Sequence, residues 1–476
     1  MAKFNSSPIG IKTLNHEGHE SYSMTDKAKL VTQVLTSFFN EKKFYGDNSE
    51  EIKETIQRVV KTDPQFVSNL AVFARREFNM RSISHVLVGY LAHEVEGKPF
   101  VKDTIRGVAL RGDDVTEIMA FYLSEFGKPI PNSMKKGIGA VMQGFDEYTL
   151  AKYKGSGKSV KMRDLLCLCR PKPLNKEQEA MWKRCLEDKL ETPYTWETEL
   201  SAKGNTKEVW EELIASHKVG YMSTLRNLRN ILQANPDNLD DALRYISDPA
   251  AVRKSKQLPF RFLSAYRSVE GMASSKVFDA LEDAVDASID SLPTLPGKTV
   301  IAIDVSGSMG NLLSDKSDVR CCDISMLLGL IANRICEDAI VCTFNHNIQP
   351  LSVSHRSGLL DSAVHYSHPF GGTDMKLPFR KMIDDEIYAD RIIILSDNEC
   401  NGGWGPPVQS LADKYRMMTG NDIWVHAIDL QGYGTQQFHG KKTNIIAGWS
   451  EKVFDFILLA EQGEGTLEKR IEEYLW

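Results

Sequence analysis

Residues 298–310 read KTVIAIDVSGSMG. Thr299 to Ile303 form a short continuous apolar run, the pattern of a strand buried on both faces in a parallel sheet. The run ends on Asp304, which places the acid at the carboxyl end of the strand. Open α/β sheets build their sites there, in the crevice above the strand ends. Ser306 and Ser308 follow at i+2 and i+4 on a turn punctuated by Gly307 and Gly310. One carboxylate with two hydroxyls suits a hard divalent cation that keeps several waters.

This D-x-S-x-S pattern resembles the metal-ion-dependent adhesion site of von Willebrand factor A domains. The resemblance calls for a Thr and a further Asp from later loops. The sequence supplies Thr373 in Gly371-Gly-Thr-Asp374, and Asp397 at the end of Arg391-Ile-Ile-Ile-Leu-Ser396, a second buried-strand pattern. Helix capping would explain Asp304 and the serines, but it does not call for the distant Thr373 and Asp397. The predicted metal set is therefore Asp304, Ser306, Ser308, Thr373 and Asp397, with Mg2+ the predicted ion.

At 476 residues, with 42% hydrophobic and 26% charged content, the chain is ordinary for a globular protein of several domains. No apolar run reaches the ~18 residues a spanning helix needs, which predicts no membrane partner. The N-terminal MAKFNSSPIGIKTLN lacks an apolar signal core, and the eight Cys show no framework spacing, so a cytoplasmic location is expected. Net charge is −6 but unevenly placed: from Ser291 onward there are 16 basic and 24 acidic residues, against 42 and 40 before it.

Residues 1 to about 20 read as an irregular arm. From Thr25 to Leu292 the periodicity is helical almost throughout, as in Leu30, Val31, Val34, Leu35 and Phe38. Helices are predicted at 101–110, 114–126, 131–145, 161–169, 175–188, 206–216, 219–234, 238–246, 257–272 and 274–291. Paired helices without strands over such a length predict an irregular HEAT- or armadillo-like solenoid rather than one helical globule. Ser291-Leu-Pro-Thr-Leu-Pro-Gly297 reads as a linker. Beyond it, strand and helix patterns alternate, as in a doubly wound α/β domain. The predicted domains are 1–292 and 298–476.

Two basic sets stand out. In AKYKGSGKSVKMRDLLCLCRPKPLNK, from Ala151, eight cations including Lys158, Lys161, Arg163, Arg170 and Lys172 face one acid, Asp164. This cluster reads equally as a phosphate-backbone reader or a solvated loop. Its Gly155-Ser-Gly-Lys-Ser159 is no P-loop, because Lys152 stands where the first Gly should be and no apolar strand precedes it. The second set includes Arg226 and Arg229, each followed by Asn, in GYMSTLRNLRNIL, with Arg253, Lys254, Lys256, Arg261 and Arg267 beyond. Phosphate and base recognition, helix capping and interhelix hydrogen bonds all fit the Arg-Asn pairs. Lys135 and Lys136 open a helix, against its dipole, which hints at an external anion. No Ser/His/Asp set or carboxylate pair stands out, and no enzyme activity is predicted.

The combination resembles the TROVE-domain family of Ro autoantigens and their bacterial relatives. The resemblance rests on DVSGSM (304–309), GGTDMKLPF (371–379), LSDNE (395–399), FVSNLAVFAR, RSISHVLVGYLAHE, KMRDLLCLCRPKP and MSTLRNLRN. It implies a HEAT-like helical superhelix closed into a ring, plus a von Willebrand factor A domain joining its ends, as a monomer. It implies partners among noncoding RNAs rather than DNA. These are small Y-like RNAs on the outer surface and single-stranded ends of misfolded RNAs in the central hole. The role implied is RNA quality control or RNA tethering, coupled in bacterial relatives to an exoribonuclease. The RNA-binding candidates are Lys135, Lys136, Lys158, Lys161, Arg163, Arg170, Lys172, Arg226 and Arg229. The competing reading is a protein-interaction scaffold whose metal site grips a partner carboxylate.

Overall fold

β-Branched residues dominate Val300–Ile303 and Ile392–Ile394, and such runs pack best where both sheet faces are covered. The computed structural model describes residues 12–14, 20–23, 25–36, 49–290, 292–312, 318–398, 400, 407–431, 435–440, 442–447, 452–461 and 467–476. Its strands are β1 Lys12–Leu14, β2 Glu20–Ser23, β3 Leu295–Asp304, β4 Cys336–Phe344, β5 Ile348–Pro350, β6 Arg391–Ser396, β7 Trp424–Asp429, β8 Thr435–Gln436 and β9 Thr443–Ala447. Six of them form one sheet in the order β5-β4-β3-β6-β7-β9, parallel except for the edge strand β5. From β3 the chain moves outward to β4, then returns to the other side for β6. The topological switch point therefore lies between β3 and β6.

Helices cover both faces, as a doubly wound sheet requires. On one face Val300, Ala302, Ile392, Ile394, Val425 and Ala427 bury against Phe379 and Met382 of the helix Leu377–Asp384 and Leu411 and Tyr415 of Val408–Thr419. The alternate residues point the other way. Ile303 meets the helix Cys321–Ile335 so closely that a Cβ on Gly329 would lie 2.3 Å from Ile303 Cδ1, so a larger residue there would require the Ile303 side chain to move. On the same face the helix Lys452–Glu461 ends in a buried ionic knot. Arg391 donates from Nε and NH2 to Glu461 at 2.6 and 2.7 Å, and His426 Nε2 sits 3.0 Å from the same carboxylate.

By packing, the chain divides into two compact units. One holds Asp26–Thr198 and Leu467–Trp476; the other holds Glu199–Thr466 and the described residues up to Thr25. In the second unit the helices Pro259–Val269 and Ser275–Ile289 join the sheet domain. Arg267 donates to the buried Asp323 at 2.8 Å, and Glu282 accepts the Leu360 and Asp361 amides that open the helix Leu359–Tyr366. Where an irregular arm was expected, β1 and β2 pair antiparallel and β2 adds to β8, Tyr22 opposite Gln436. The rest of that arm, and Glu399 of LSDNE, lie outside the described residues.

The first unit is a stack of helices in two rows. Pro64–Arg76, Val101–Val108, Asn132–Met142 and Met162–Cys169 pack successively in one row. Ser49–Thr62, Ser82–His93 and Asp114–Glu125 do so in the other. This next-but-one packing is the solenoid geometry read from the sequence. Between the rows Asp114, 0% exposed, accepts from Arg75, Arg81 and the Leu110 and Arg111 amides. The C-terminal helix Leu467–Glu472 docks on the first row. Asn69 Nδ2 donates to Ile471 O and Glu472 O at 3.1 and 3.0 Å, and Tyr474 packs edge-on against Phe73. Short helices missed by the periodicity appear at Glu147–Lys152, Trp196–Lys203 and Pro249–Ser255. The first shows that the residues before Gly155 are helical, in keeping with the rejected P-loop.

Burial alone would raise the Glu461 carboxyl, but hydrogen bonds from Arg391 and His426 overcome it and hold the group down at about 2. Its folded value lies below its unfolded one, so the contribution is full above ~pH 4.5 and is lost as pH falls through about 2. Thermal unfolding between about pH 5 and pH 3 should therefore show wild type losing more stability than Glu461→Gln. Parallel curves for the two would contradict this.

Candidate functional site

The switch point brings two acids together from strands about ninety positions apart. Asp304 ends β3, Asp397 follows β6, and both are fully buried. Burial lifts the Asp304 carboxyl well above the usual carboxylate range, and the neighbouring Asp397 charge adds to the shift. Asp304 Oδ1 accepts the Ser306 amide at 2.8 Å, which bends the chain back over the strand end. The Ser306 and Ser308 hydroxyls stand 3.2 Å apart at the start of the short helix Gly307–Gly310. Thr373, 2% exposed, arrives on the loop after Phe370. Two backbone bonds lace that loop to the serine turn: Gly307 N donates to Gly371 O and Phe370 N to Val305 O, each at 2.8 Å.

Of the five predicted metal residues, Asp304, Ser306 and Ser308 are joined directly, Asp397 follows the adjacent strand, and Thr373 lies two residues beyond Gly371 on the loop tied to the serine turn. Sequence reading missed two further members. Ser396 donates to Asp304 Oδ2 at 2.6 Å. Asp429, 1% exposed, ends β7 opposite Ser396 and accepts the Gln431 amide. The signal was present, because three apolar runs (IAID, IILSD and VHAID) all end on Asp. His365 and His368, which approach Thr373 in sequence, are solvent-exposed, and His365 stacks edge-on with Tyr366. Among the described residues no group of three or more His, Cys, Asp or Glu is placed to hold an ion. An ion at this point would therefore rely on hydroxyl and water oxygens beside the two carboxylates. That all-oxygen donor set, with two mutually repelling buried acids, fits Mg2+ and not a soft metal.

Part of the first basic set comes together in the helical stack. A Cβ on Gly139 would touch Pro171, and Gln143 Nε2 donates to Lys172 O at 2.8 Å. The helix opened by Lys135 and Lys136 therefore lies along the segment Arg170–Lys172. Burial pushes the Cys169 thiol up to about 12, with the nearby Lys135 charge opposing. Lys158 is neutralised by Glu117 at 2.5 Å, and Arg163 approaches Asp164 at 3.8 Å. Lys136, Arg170 and Lys172 are exposed and Lys135 and Lys161 half-buried; among the described residues none of these five has a carboxylate within ion-pair distance.

In the other unit the predicted helix 219–234 breaks into Tyr221–Arg226 and Leu228–Ala234. Asn227, 3% exposed, stands at the break and donates to Ser223 O at 2.9 Å. Asn230 donates to Asn227 Oδ1 at 3.0 Å. These asparagines hold the helix junction together, the capping and hydrogen-bonding role that was one of the readings of the Arg-Asn pairs. Arg226 and Arg229 remain exposed.

The fold and site define a class: a helical-repeat protein carrying a von Willebrand factor A-type domain. The TROVE domain matches residues 24–188 and 187–277, just over half of the chain, and the Ro60 vWA domain matches 298–432. The protein belongs to the TROVE-domain family. It is 28% identical over 217 residues to the RNA-binding protein RO60 of Deinococcus radiodurans, covering 41% of this chain and 40% of that protein. Against the RNA-binding protein RO60 of Caenorhabditis elegans identity is 26% over 245 residues, 48% of this chain and 38% of that one. Telomerase protein component 1 of Rattus norvegicus is 24% identical over 326 residues, 51% of this chain but 12% of that protein. The aligned regions thus span well under half of these relatives. The crystal structure of the D. radiodurans RO (RSR) protein superposes with a TM-score of 0.64 at 18% identity, over 93% of this chain and 100% of that one.

Gly371 is where the two site loops depend on a single residue. Its φ is +79°, and a Cβ there would lie 2.2 Å from His346 Nδ1. Gly371→Ala should cost roughly 2 kcal/mol from the left-handed backbone alone, and more from the clash. Adding His346→Ala should recover only the clash component, as read by chemical denaturation.

Proposed function

We propose that this protein is a non-enzymatic RNA-binding protein. It would hold small noncoding Y-like RNA and the single-stranded ends of misfolded RNAs, in RNA quality control or as a ribonucleoprotein scaffold, in some settings tethering an exoribonuclease through RNA. The observation that carries this reading is that the helix opened by Lys135 and Lys136 lies along the segment Arg170–Lys172, and that these cations have no carboxylate within ion-pair distance among the described residues. Cations left unneutralised on a chain of net charge −6 are an electrostatic footprint for a polyanion. Membership of a family whose relatives are named RNA-binding proteins supports it. Arg170 adds a geometric element. It caps the helix Met162–Cys169 in the left-handed conformation, φ 48°, which ends the helix there and turns the chain toward Pro171 and Lys172.

In this proposal Asp304, Ser306, Ser308, Thr373 and Asp397 hold Mg2+, directly or through water. The ion would neutralise the paired acids and offer an open coordination position to an external oxygen, such as a partner carboxylate. The protein's own residues supply the rest. The Ser306 amide orients Asp304, the Ser396 hydroxyl fixes its second oxygen, and the Gly307–Gly371 bond keeps Thr373 over the strand ends.

Filter binding against structured and single-stranded RNA at several salt concentrations tests the RNA reading. Affinity should fall steeply with salt. Lys135→Gln with Lys172→Gln should flatten the log–log slope by roughly 0.7 for each single-strand phosphate that the variant no longer neutralises. Weak binding that hardly varies with salt would instead favour the protein-interaction scaffold. The ion is tested separately. Mg2+ should raise the unfolding temperature of the full chain, and Asp304→Ala should abolish that rise.

A further inference from the structure

An exposed aromatic ring stands at the start of the first basic cluster. The short helix Glu147–Lys152 opens on Asp146, whose Oδ1 accepts the Thr149 amide at 2.8 Å. Leu150 and Ala151 are buried and fix its inward side. Tyr148 and Lys152, at i and i+4, share one face of the helix. That face is turned outward: Tyr148 is 48% exposed. Lys152 Nζ donates to the Tyr148 hydroxyl at 3.4 Å yet lies 5.5 Å from the ring centre. The ammonium therefore stands toward the hydroxyl end of the ring and does not cover its middle.

The surroundings add positive charge on a fixed frame. Lys152 Nζ is also 5.7 Å from the ring centre of Tyr153, and the Arg111 guanidinium is 5.8 Å from that same ring. Tyr153 is seated against the backbone, since a Cβ on the buried Gly112 would lie 2.5 Å from its Cδ2 and 2.6 Å from Thr149 Cγ2. Lys154 comes next. Its carbonyl accepts the Met162 amide at 3.2 Å, which closes the cationic loop 154–162 at its base, directly after Tyr153. The acids of this neighbourhood are engaged: Glu147 with Arg184 at 2.6 Å, Glu117 with Lys158, and Asp113 with Arg81 at 2.8 Å and Arg111 at 3.3 Å. Among the described residues Lys152 and Lys154 have no carboxylate within ion-pair distance.

We propose that Tyr148 is a stacking platform for one unpaired base of single-stranded RNA, with Lys152 and Lys154 drawing the phosphates beside that base. The inference rests on the RNA-binding reading and names the part of the ligand that this surface takes. A nucleotide carries a flat π-face and an anion on one rigid frame, and here a ring and an ammonium are held 5.5 Å apart on one helix face. Inside a duplex both faces of a base are covered by its neighbours, so only an unpaired base can offer one to a side chain. Tyr153 is a positioning residue, because its ring holds Lys152 beside the platform. Every base has a π-face, so the platform selects single strands without reading their sequence. An acidic peptide would answer the lysines but would give the Tyr148 ring nothing to stack on.

The test uses the full chain and a uridine-rich RNA strand of about eight nucleotides with one central 2-aminopurine. Wild type should quench the 2-aminopurine fluorescence on binding. Tyr148→Ala should remove most of the quenching and weaken binding roughly fivefold or more. Its salt dependence should match wild type, because no charge is lost. Lys152→Gln should do the reverse, keeping the quenching at saturation and flattening the log–log salt slope by roughly 0.7. Tyr148→Phe keeps the ring and should bind and quench as wild type does. Tyr148→Ala should unfold within about 2 °C of wild type, as an exposed substitution does, whereas a merely structural tyrosine would lower that temperature and leave the quenching alone. Three results would each overturn the proposal: wild-type affinity in Tyr148→Ala, an equal loss for the same strand annealed to its complement, or competition by polyglutamate as effective as by RNA of equal charge. Salt-dependent RNA binding that ignores Tyr148 removes the platform alone. Absence of RNA binding by wild type removes the RNA reading along with it.

Discussion

The sheet domain is organised by one electrostatic constraint. Parallel pairing sets β3 beside β6, and this forces the acids at their carboxyl ends into one buried place. Two like charges out of water repel strongly, and unaided they would push the loops apart or take up a proton. The surrounding structure reads as the restraint on that tendency. The Ser306 amide and Ser396 hydroxyl each engage one oxygen of Asp304, and the Gly307–Gly371 and Phe370–Val305 bonds hold the second loop down. Glycine at 307 and 371 is what lets the loops come so close, since a Cβ on Gly307 would lie 3.1 Å from Gly371 O.

The opposite end of the same sheet solves an inverse problem. There Arg391 is buried at the first position of β6 and must be neutralised where it stands. Glu461 does so from the end of a helix far along the chain, with Pro296 O and Thr299 Oγ1 taking a further guanidinium donor. Burial keeps His426 neutral beside it. The acidic end holds two like charges side by side, and the basic end pairs its charge internally.

The helical stack repeats the contrast. Arg75 and Arg81 are spent on Asp114, and the packing between rows depends on them. Among the described residues Lys135, Arg170 and Lys172 have no carboxylate within ion-pair distance, and their segments are joined instead through Gln143 and Gly139, which contribute no charge. Cations paired with a buried acid and cations with no carboxylate within ion-pair distance among the described residues thus occur within a single unit, and sequence alone could not sort one group from the other.

The sequence by itself determined the broad architecture, because hydrophobic periodicity is a local property. The apolar runs ending in Asp304 and Asp397 marked two parallel strands, and the 3.6-residue spacing before Leu292 marked the helices. The D-x-S-x-S turn and the Gly-rich Thr373 loop were legible for the same reason. Tertiary structure decided everything that depends on pairing across long separations. It placed Ser396 on Asp304, turned Asn227 from a ligand-binding candidate into a helix junction, and gave the edge strands β1 and β2 a partner in β8 too short to be read locally. It also decided which arginines meet an acid, as Arg267 meets Asp323 and Arg391 meets Glu461. Charge neutralisation acts through space within a few ångströms, and no spacing along the chain encodes that distance.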